Sequence, residues 1–256
     1  MPRISSELAA SYRQKLLCAL NDRSLPLPET VVNPTPKGLS PTRPCTIQVV
    51  PEATITAALR CRGTKTALLN FASFQEPGGK FMVGAFAQEE FLCYCTNLYS
   101  ELCMYKETWY ESHKNCLHKG MYENQSLLSK DISIVMSAPG EILPKQQRMQ
   151  VDVLTCAAPN WSGGIRYNSV PSAVMNHTTK ERINYVLQIM SDGCYDNVIL
   201  GAFGCGVFRN DPLFVARVFK EYISKYSFNN IIFAIPDENS YNYRIFANSL
   251  GAKFSK

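Results

Sequence analysis

Hydrophobic positions in this chain fall into two alternating kinds of run. Short continuous apolar runs bounded by polar or turn-forming residues read as buried strands at 46–50, 67–71, 132–136, 151–156, 197–200 and 230–235. Between them lie stretches with apolar residues at helical spacing. Leu8, Tyr12, Leu16, Leu17 and Leu20 mark a first helix that Ser5 or Ser6 can cap and that ends near Asn21. Further helices are expected over 52–60, from Gln88 through Leu102, over 178–190, after Asp211 and over 243–250. Asp211 suits an N-cap and Pro212 the first helical position.

Two stretches lack such a pattern. Residues 105–130 are rich in Tyr, Asn, Lys and His without periodicity, so helix remnants and loop are expected there. Residues 22–45 carry Pro26, Pro28, Pro34, Pro36, Pro41 and Pro44, which excludes regular helix and central strand and predicts an extended connection along the surface. Strands alternating with helices imply a three-layer α/β/α fold around a largely buried mixed sheet. At 256 residues one large domain over 46–256 fits, with 1–45 as an N-terminal helix and Pro-rich connection packed on it.

Composition narrows the class. With 46% hydrophobic and 18% charged residues, a globular protein is expected. No segment has the length of a membrane span and residues 1–9 lack the apolar core of a signal peptide, so an intracellular, cytoplasmic setting without a membrane partner is expected. The ten cysteines sit among apolar neighbours and are read as reduced thiols of core and loops. Cys93, Cys95, Cys103, His113, Cys116 and His118 lack the paired Cys-x-x-Cys knuckles of a zinc site, so no metal is expected. A formal charge of +5 would assist approach of a polyanion. Without a dense basic run or an aromatic-interleaved basic stripe, direct nucleic-acid binding is not indicated.

Two loops carry the candidate chemistry. In the first, the strand ending in Asn70-Phe71 runs into Pro77-Gly78-Gly79, then Lys80, a spacer, and Gln88-Glu89-Glu90 in a first helical turn. Paired carboxylates beside a backbone-rich loop suit acid–base chemistry, although acids in a first turn also simply complement the helix dipole. The second loop, Gly201-Ala202-Phe203-Gly204-Cys205-Gly206-Val207-Phe208-Arg209-Asn210, joins a strand to a helix, an arrangement that presents bare N–H groups and a helix N-terminus to phosphate. Cys205 has no His near it in sequence to act as its base, which argues against a nucleophile.

Pro77-Gly78-Gly79 followed by Gln88-Glu89-Glu90 is similar to the signature of the poly(ADP-ribose) glycohydrolases, three glycines, a short spacer and Gln-Glu-Glu. Asn70-Phe71-Ala72-Ser73, the run Ala87 to Cys93, Ala157-Ala158-Pro159-Asn160 and the second glycine loop resemble the compact microbial branch of that family. The resemblance runs from about residue 46 to the end. It implies a macrodomain-type fold and a metal-independent, cofactor-free glycosidase that hydrolyses the ribose–ribose bonds of poly(ADP-ribose), or ADP-ribose carried on protein, to release ADP-ribose. A monomer is expected. It implies Glu90 as the catalytic acid, Glu89 as the residue that positions ribose hydroxyls, and substrate binding by Asn70, Gly78, Gly79 and Gln88. Gly204, Cys205, Gly206 and Val207 would cradle the diphosphate through backbone N–H groups, and Phe208 would close over ribose and diphosphate.

Lys80 departs from the family's third glycine, and Glu76 stands where a polar uncharged residue is usual. Were that glycine held at positive φ, Lys80 would strain the loop at a cost of about 1 kcal/mol or more. Alternatively its ammonium contacts a phosphate. An ADP-ribose reader with little turnover, and a hydrolase of ADP-ribose on another acceptor such as a nucleic-acid base, are the competing functions.

Overall fold

The computed structural model describes residues 2–37 and 45–251. Its elements in chain order are α1 (Ser6–Leu20), β1 (Glu29–Val32), β2 (Thr46–Val50), α2 (Thr54–Arg60), β3 (Thr66–Phe71), α3 (Gln88–Cys95), α4 (Leu98–Cys103), α5 (Glu111–Lys114) and β4 (Leu127–Ile134). There follow β5 (Met136–Ala138), β6 (Glu141–Ile142), β7 (Met149–Cys156), α6 (Trp161–Asn168), α7 (Ser172–Asp192), β8 (Asn197–Leu200), α8 (Pro212–Ile223), β9 (Asn230–Ala234) and α9 (Tyr241–Leu250). Seven strands form one mixed sheet in the order β1-β4-β7-β3-β8-β9-β2, while β5 and β6 pair separately. From β7 to β2 every neighbour is parallel; β4 runs antiparallel to β7, and β1 antiparallel to β4.

The strands are apolar throughout because both faces of the sheet are covered. Ala67 and Leu69 of β3 join Val198 and Leu200 of β8 in a core sealed by α7, α8 and α9. Leu68 and Ile199, pointing the other way, join the core under α1 to α4. These are the three layers the alternation of elements predicted.

That topology also places the loops. β3, β7 and β8 are parallel, with β3 paired to both others. Residues 72–87, 157–160 and 201–211 therefore leave the same edge of the sheet from three adjacent strands. Ligands of open parallel sheets bind at this edge.

The local structure departs from expectation where tertiary contacts outweigh periodicity. The helix expected to continue from Gln88 to Leu102 breaks at Thr96, which is extended at φ −139°. Its hydroxyl donates to Leu92 O over 2.8 Å and accepts from Leu98 N–H at 3.1 Å, while Thr96 itself bridges to Ile134. The patternless stretch at 105–130 contains a π-helical turn over Lys106–Tyr110, α5, and a 3-10 turn over His118–Gly120. The strand expected over 132–136 starts earlier, at Leu127, with an irregularity between Ser129 and Ile132 where Asp131 adopts φ 57°.

The Pro-rich connection contributes β1 as an edge strand, where prolines on either side cost no ladder hydrogen bond. Pro41 and Pro44 lie outside the described residues. α6 was not foreseen, since Gly163 and Gly164 disguise it; Asn160 caps it by accepting from Gly163 N–H at 2.9 Å. α7 begins at Ser172, earlier than the expected Thr178.

Candidate active site

α3 opens directly beneath the β3 loop, and its first turn holds Gln88, Glu89 and Glu90. Both carboxylates are buried, Glu89 at 4% exposure and Glu90 at 1%, so neither is a solvated first-turn acid. Each is held by donors from the chain that wraps it. Glu89 Oε1 accepts from Asn70 Nδ2 at 3.2 Å and Oε2 from Ser73 N–H at 2.7 Å. Glu90 Oε1 accepts from Lys80 N–H at 2.9 Å and Oε2 from Ala87 N–H at 3.1 Å.

Gly78 and Gly79 explain why this loop is glycine-rich. Both have positive φ, 65° and 59°. A Cβ on Gly79 would lie 2.6 Å from Glu90 Oε1 and 2.9 Å from Glu89 Oε2, and one on Gly78 would meet the Tyr99 ring at 2.7 Å. The two carboxylates thus converge on bare backbone. Lys80, by contrast, has φ −107°, a conformation any residue adopts. The strain that a lysine at positive φ would cause is absent because the consecutive positive-φ pair is Gly78 and Gly79, and Lys80 lies outside it.

Burial pushes the Glu89 carboxyl up to about 8, with the Glu90 charge adding to the rise and the Ser73 and Asn70 hydrogen bonds opposing it. Burial and the neighbouring Glu90 charge thus both favour the protonated form of Glu89.

Gln88 and Asn70 connect this turn to the sheet. β8 pairs with β3 only as far as Leu68. Beyond it the Gln88 amide takes over, accepting from Phe71 N–H at 2.9 Å and donating to Leu69 O at 2.8 Å. Nε2 also reaches Thr54 Oγ1 at 3.3 Å. Gln88, expected to bind substrate, has its side chain committed to anchoring α3. Asn70 is fully buried; Nδ2 donates to Glu89 and to Thr155 Oγ1 at 3.2 Å, while Oδ1 has no protein partner.

The second loop bends around Gly204, at φ 74°, where a Cβ would clash with Asn210 Nδ2 at 2.5 Å and Ala158 Cβ at 2.6 Å. Asn210 holds the bend: Nδ2 donates to Pro159 O at 2.8 Å and Gly204 O at 3.1 Å, and Oδ1 accepts from Thr179 at 3.3 Å. Among the described residues the N–H groups of Gly204, Gly206, Val207 and Phe208 have no protein acceptor. Cys205 differs. Its N–H donates to Ala202 O at 3.0 Å, closing a turn, so the backbone donor expected of it is already used. Burial raises its thiol well above the usual range, which agrees with its reading as unreactive. Asp211 caps α8 through Leu213 N–H at 3.0 Å, with Pro212 in the first turn.

A third wall comes from residues with no pattern in sequence. Phe74 of the β3 loop is stacked between His113, at 4.0 Å and 15°, and Tyr122, at 4.1 Å and 14°. Tyr122 continues to Phe208 at 6.2 Å, so aromatic rings connect the two glycine loops. Arg182, fully buried on α7, secures this wall with Nε to Asn124 Oδ1 at 2.7 Å, Nη2 to Met121 O at 3.2 Å and Nη1 to Ala157 O. Asn210 stood in the quoted glycine loop and is the one such residue a polar pattern could have flagged; Arg182 and Phe74 gave no signal.

Among the described residues, no three His, Cys, Asp or Glu side chains form a group able to hold a metal. All ten cysteines are free thiols. No helix among the described residues is long and apolar enough to cross a membrane.

Residues 7–137 match the family described as microbial-type PARG, catalytic domain. No curated protein matches the chain in sequence. Among solved structures, poly(ADP-ribose) glycohydrolase from Deinococcus radiodurans in complex with ADP-ribose superposes with a TM-score of 0.75 at 29% identity, covering 96% of this chain and 92% of that one. The enzyme from Thermomonospora curvata gives 0.73 at 27% identity, with 96% and 89% covered. Its complex with the inhibitor ADP-HPD gives 0.71 at 27%, with 96% and 88% covered.

Proposed function

The chain belongs to the family of microbial-type poly(ADP-ribose) glycohydrolase catalytic domains and is a glycosidase of that kind, and we propose how its own residues divide the work. Hydrolysis of a ribose–ribose bond needs a proton for the departing oxygen, stabilisation of an oxocarbenium-like centre, and an activated water. Glu90 protonates the 2′ oxygen of the leaving ribose as the bond to the anomeric carbon breaks. Its carboxylate then takes a proton from the water that adds to that carbon, releasing ADP-ribose. Glu89 and Asn70 hold the ribose hydroxyls, with the unpartnered Asn70 Oδ1 as an acceptor for one of them.

The backbone N–H groups of Gly204, Gly206 and Val207 receive the diphosphate, and Phe208 closes over it. Gln88 acts by position, through the end of β3. ADP-ribose on protein is a further substrate the same cleft would take, and the protein works as a monomer.

The observation that carries this reading is the convergence of two buried carboxylates on Gly79 at the open edge of the sheet. The test is chromatography of free products after incubating purified protein with poly(ADP-ribose), chelator present, beside Glu90→Gln. ADP-ribose released by the unmodified protein alone supports it; equal release by the variant removes Glu90 from the chemistry. The reader alternative drew on Lys80 obstructing the loop, and the unstrained backbone at Lys80 removes that ground.

A further inference from the structure

We propose that the Lys80 side chain selects the leaving group: its ammonium pairs with the diphosphate of the departing nucleotide unit, so that a polyanionic leaving group is favoured over a neutral one. This rests on the glycohydrolase reading and extends it to the acceptor side of the cleft.

Position is the first argument. The Lys80 N–H lies 2.9 Å from Glu90 Oε1, which fixes the residue beside the group that protonates the leaving oxygen. Its four-carbon stem carries the ammonium roughly 6 Å from Cα. In poly(ADP-ribose) the leaving oxygen is a ribose 2′ oxygen, and only that ribose and its 5′ methylene separate it from the next diphosphate. The diphosphate of the retained unit falls to a different loop, the one after β8.

The second argument is that nothing else occupies the side chain. The bond to Glu90 is made by the backbone amide, so a glycine would serve it equally well. Lys80 is exposed, and among the described residues its Nζ has no hydrogen bond or ion pair, whereas Lys114 and Lys145 are both paired. An unspent cation next to catalytic carboxylates is available for an anion from outside.

The surrounding charge agrees. Residues 77–87 contain no acid. Arg13 on α1 lies over the Phe81 ring at 5.8 Å with Nη1 3.4 Å from Phe81 O. Glu76, just before this segment, is paired with Lys114 at 3.1 Å. Glu89 and Glu90 are buried, so neither stands on the exposed rim with Lys80.

The experiment compares kcat/KM on poly(ADP-ribose) with kcat/KM on ADP-ribose joined at the same anomeric carbon to 4-nitrophenol, a leaving group without phosphate. Unmodified protein, Lys80→Ala and Lys80→Arg are each measured across ionic strength. The expected result is a drop of about tenfold in the polymer-to-nitrophenyl ratio for Lys80→Ala, largely restored in Lys80→Arg. The salt dependence on polymer should also become shallower by about one phosphate contact. An unchanged ratio and salt slope overturn the proposal, as does an equal loss on both substrates, which would assign Lys80 to loop geometry. Unmodified protein that cleaves neither substrate overturns the glycohydrolase reading itself, a separate outcome.

Discussion

Gly79 stands so close to Glu90 that a Cβ on it would come within 2.6 Å of Oε1, at a backbone φ of 59° that disfavours any side chain. Gly79→Ala should therefore displace both carboxylates, lowering kcat on poly(ADP-ribose) at least about 100-fold and stability by about 1–2 kcal/mol. Gly206 is the control, because a Cβ there meets nothing within 4 Å and its φ is not positive. Gly206→Ala should leave the denaturation midpoint unchanged, which urea unfolding of the two variants side by side would check.

Replacing the Glu90 carboxyl by an amide removes the transferable proton and presents an N–H₂ to one of the two donors, Lys80 N–H and Ala87 N–H, that now share it. Glu90→Gln should lose at least about 1,000-fold in kcat. ADP-ribose affinity by calorimetry should change by less than about tenfold. Loss of both together would mean that the carboxylate binds substrate rather than reacting.

Glu89 supplies a pH signature. Its folded value, raised by burial to about 8, stands above the unfolded value near 4.5. Between those values the folded state binds more protons than the unfolded chain, so this group makes stability fall as pH rises from about 5 to 8. The thermal midpoint of the unmodified protein should drop by roughly 5 °C over that range, and Glu89→Gln should flatten the slope. Equal slopes in both proteins would place the titration elsewhere.

Asn210 donates to Pro159 O and Gly204 O while accepting from Thr179, all within a buried bend. Asn210→Ala removes the side-chain donor from both carbonyls, leaving Pro159 O with Trp161 N–H and Gly204 O with the backbone N–H of residue 210, and should cost about 1–2 kcal/mol in urea unfolding. ADP-ribose affinity should fall as well, because the N–H groups of Gly204 and Val207 lose their fixed direction. Asn210→Asp should be worse, since a carboxylate replaces the donor between two carbonyl oxygens.

The sequence by itself determined the alternation of apolar strands and amphipathic helices, and with it the layers. Residues 67–71, 197–200 and 212–223 announce themselves because burial on both faces or on one stripe leaves a local pattern. It also showed the two glycine loops and Gln88-Glu89-Glu90, since positive φ and close backbone approach restrict residue choice at the positions themselves.

What only the tertiary structure decided is pairwise. Whether the first-turn acids are solvated or buried depends on Gly79 packing over them, and the role of Gln88 depends on β8 ending at Leu68. That Lys80 is unstrained follows from a dihedral no composition reveals. The break at Thr96, the Asn210 clasp and the Arg182 anchor each depend on partners far away in the chain, such as Ile134, Pro159 and Met121. Periodicity reports which face a residue presents, and a hydrogen bond between distant loops leaves no trace in it.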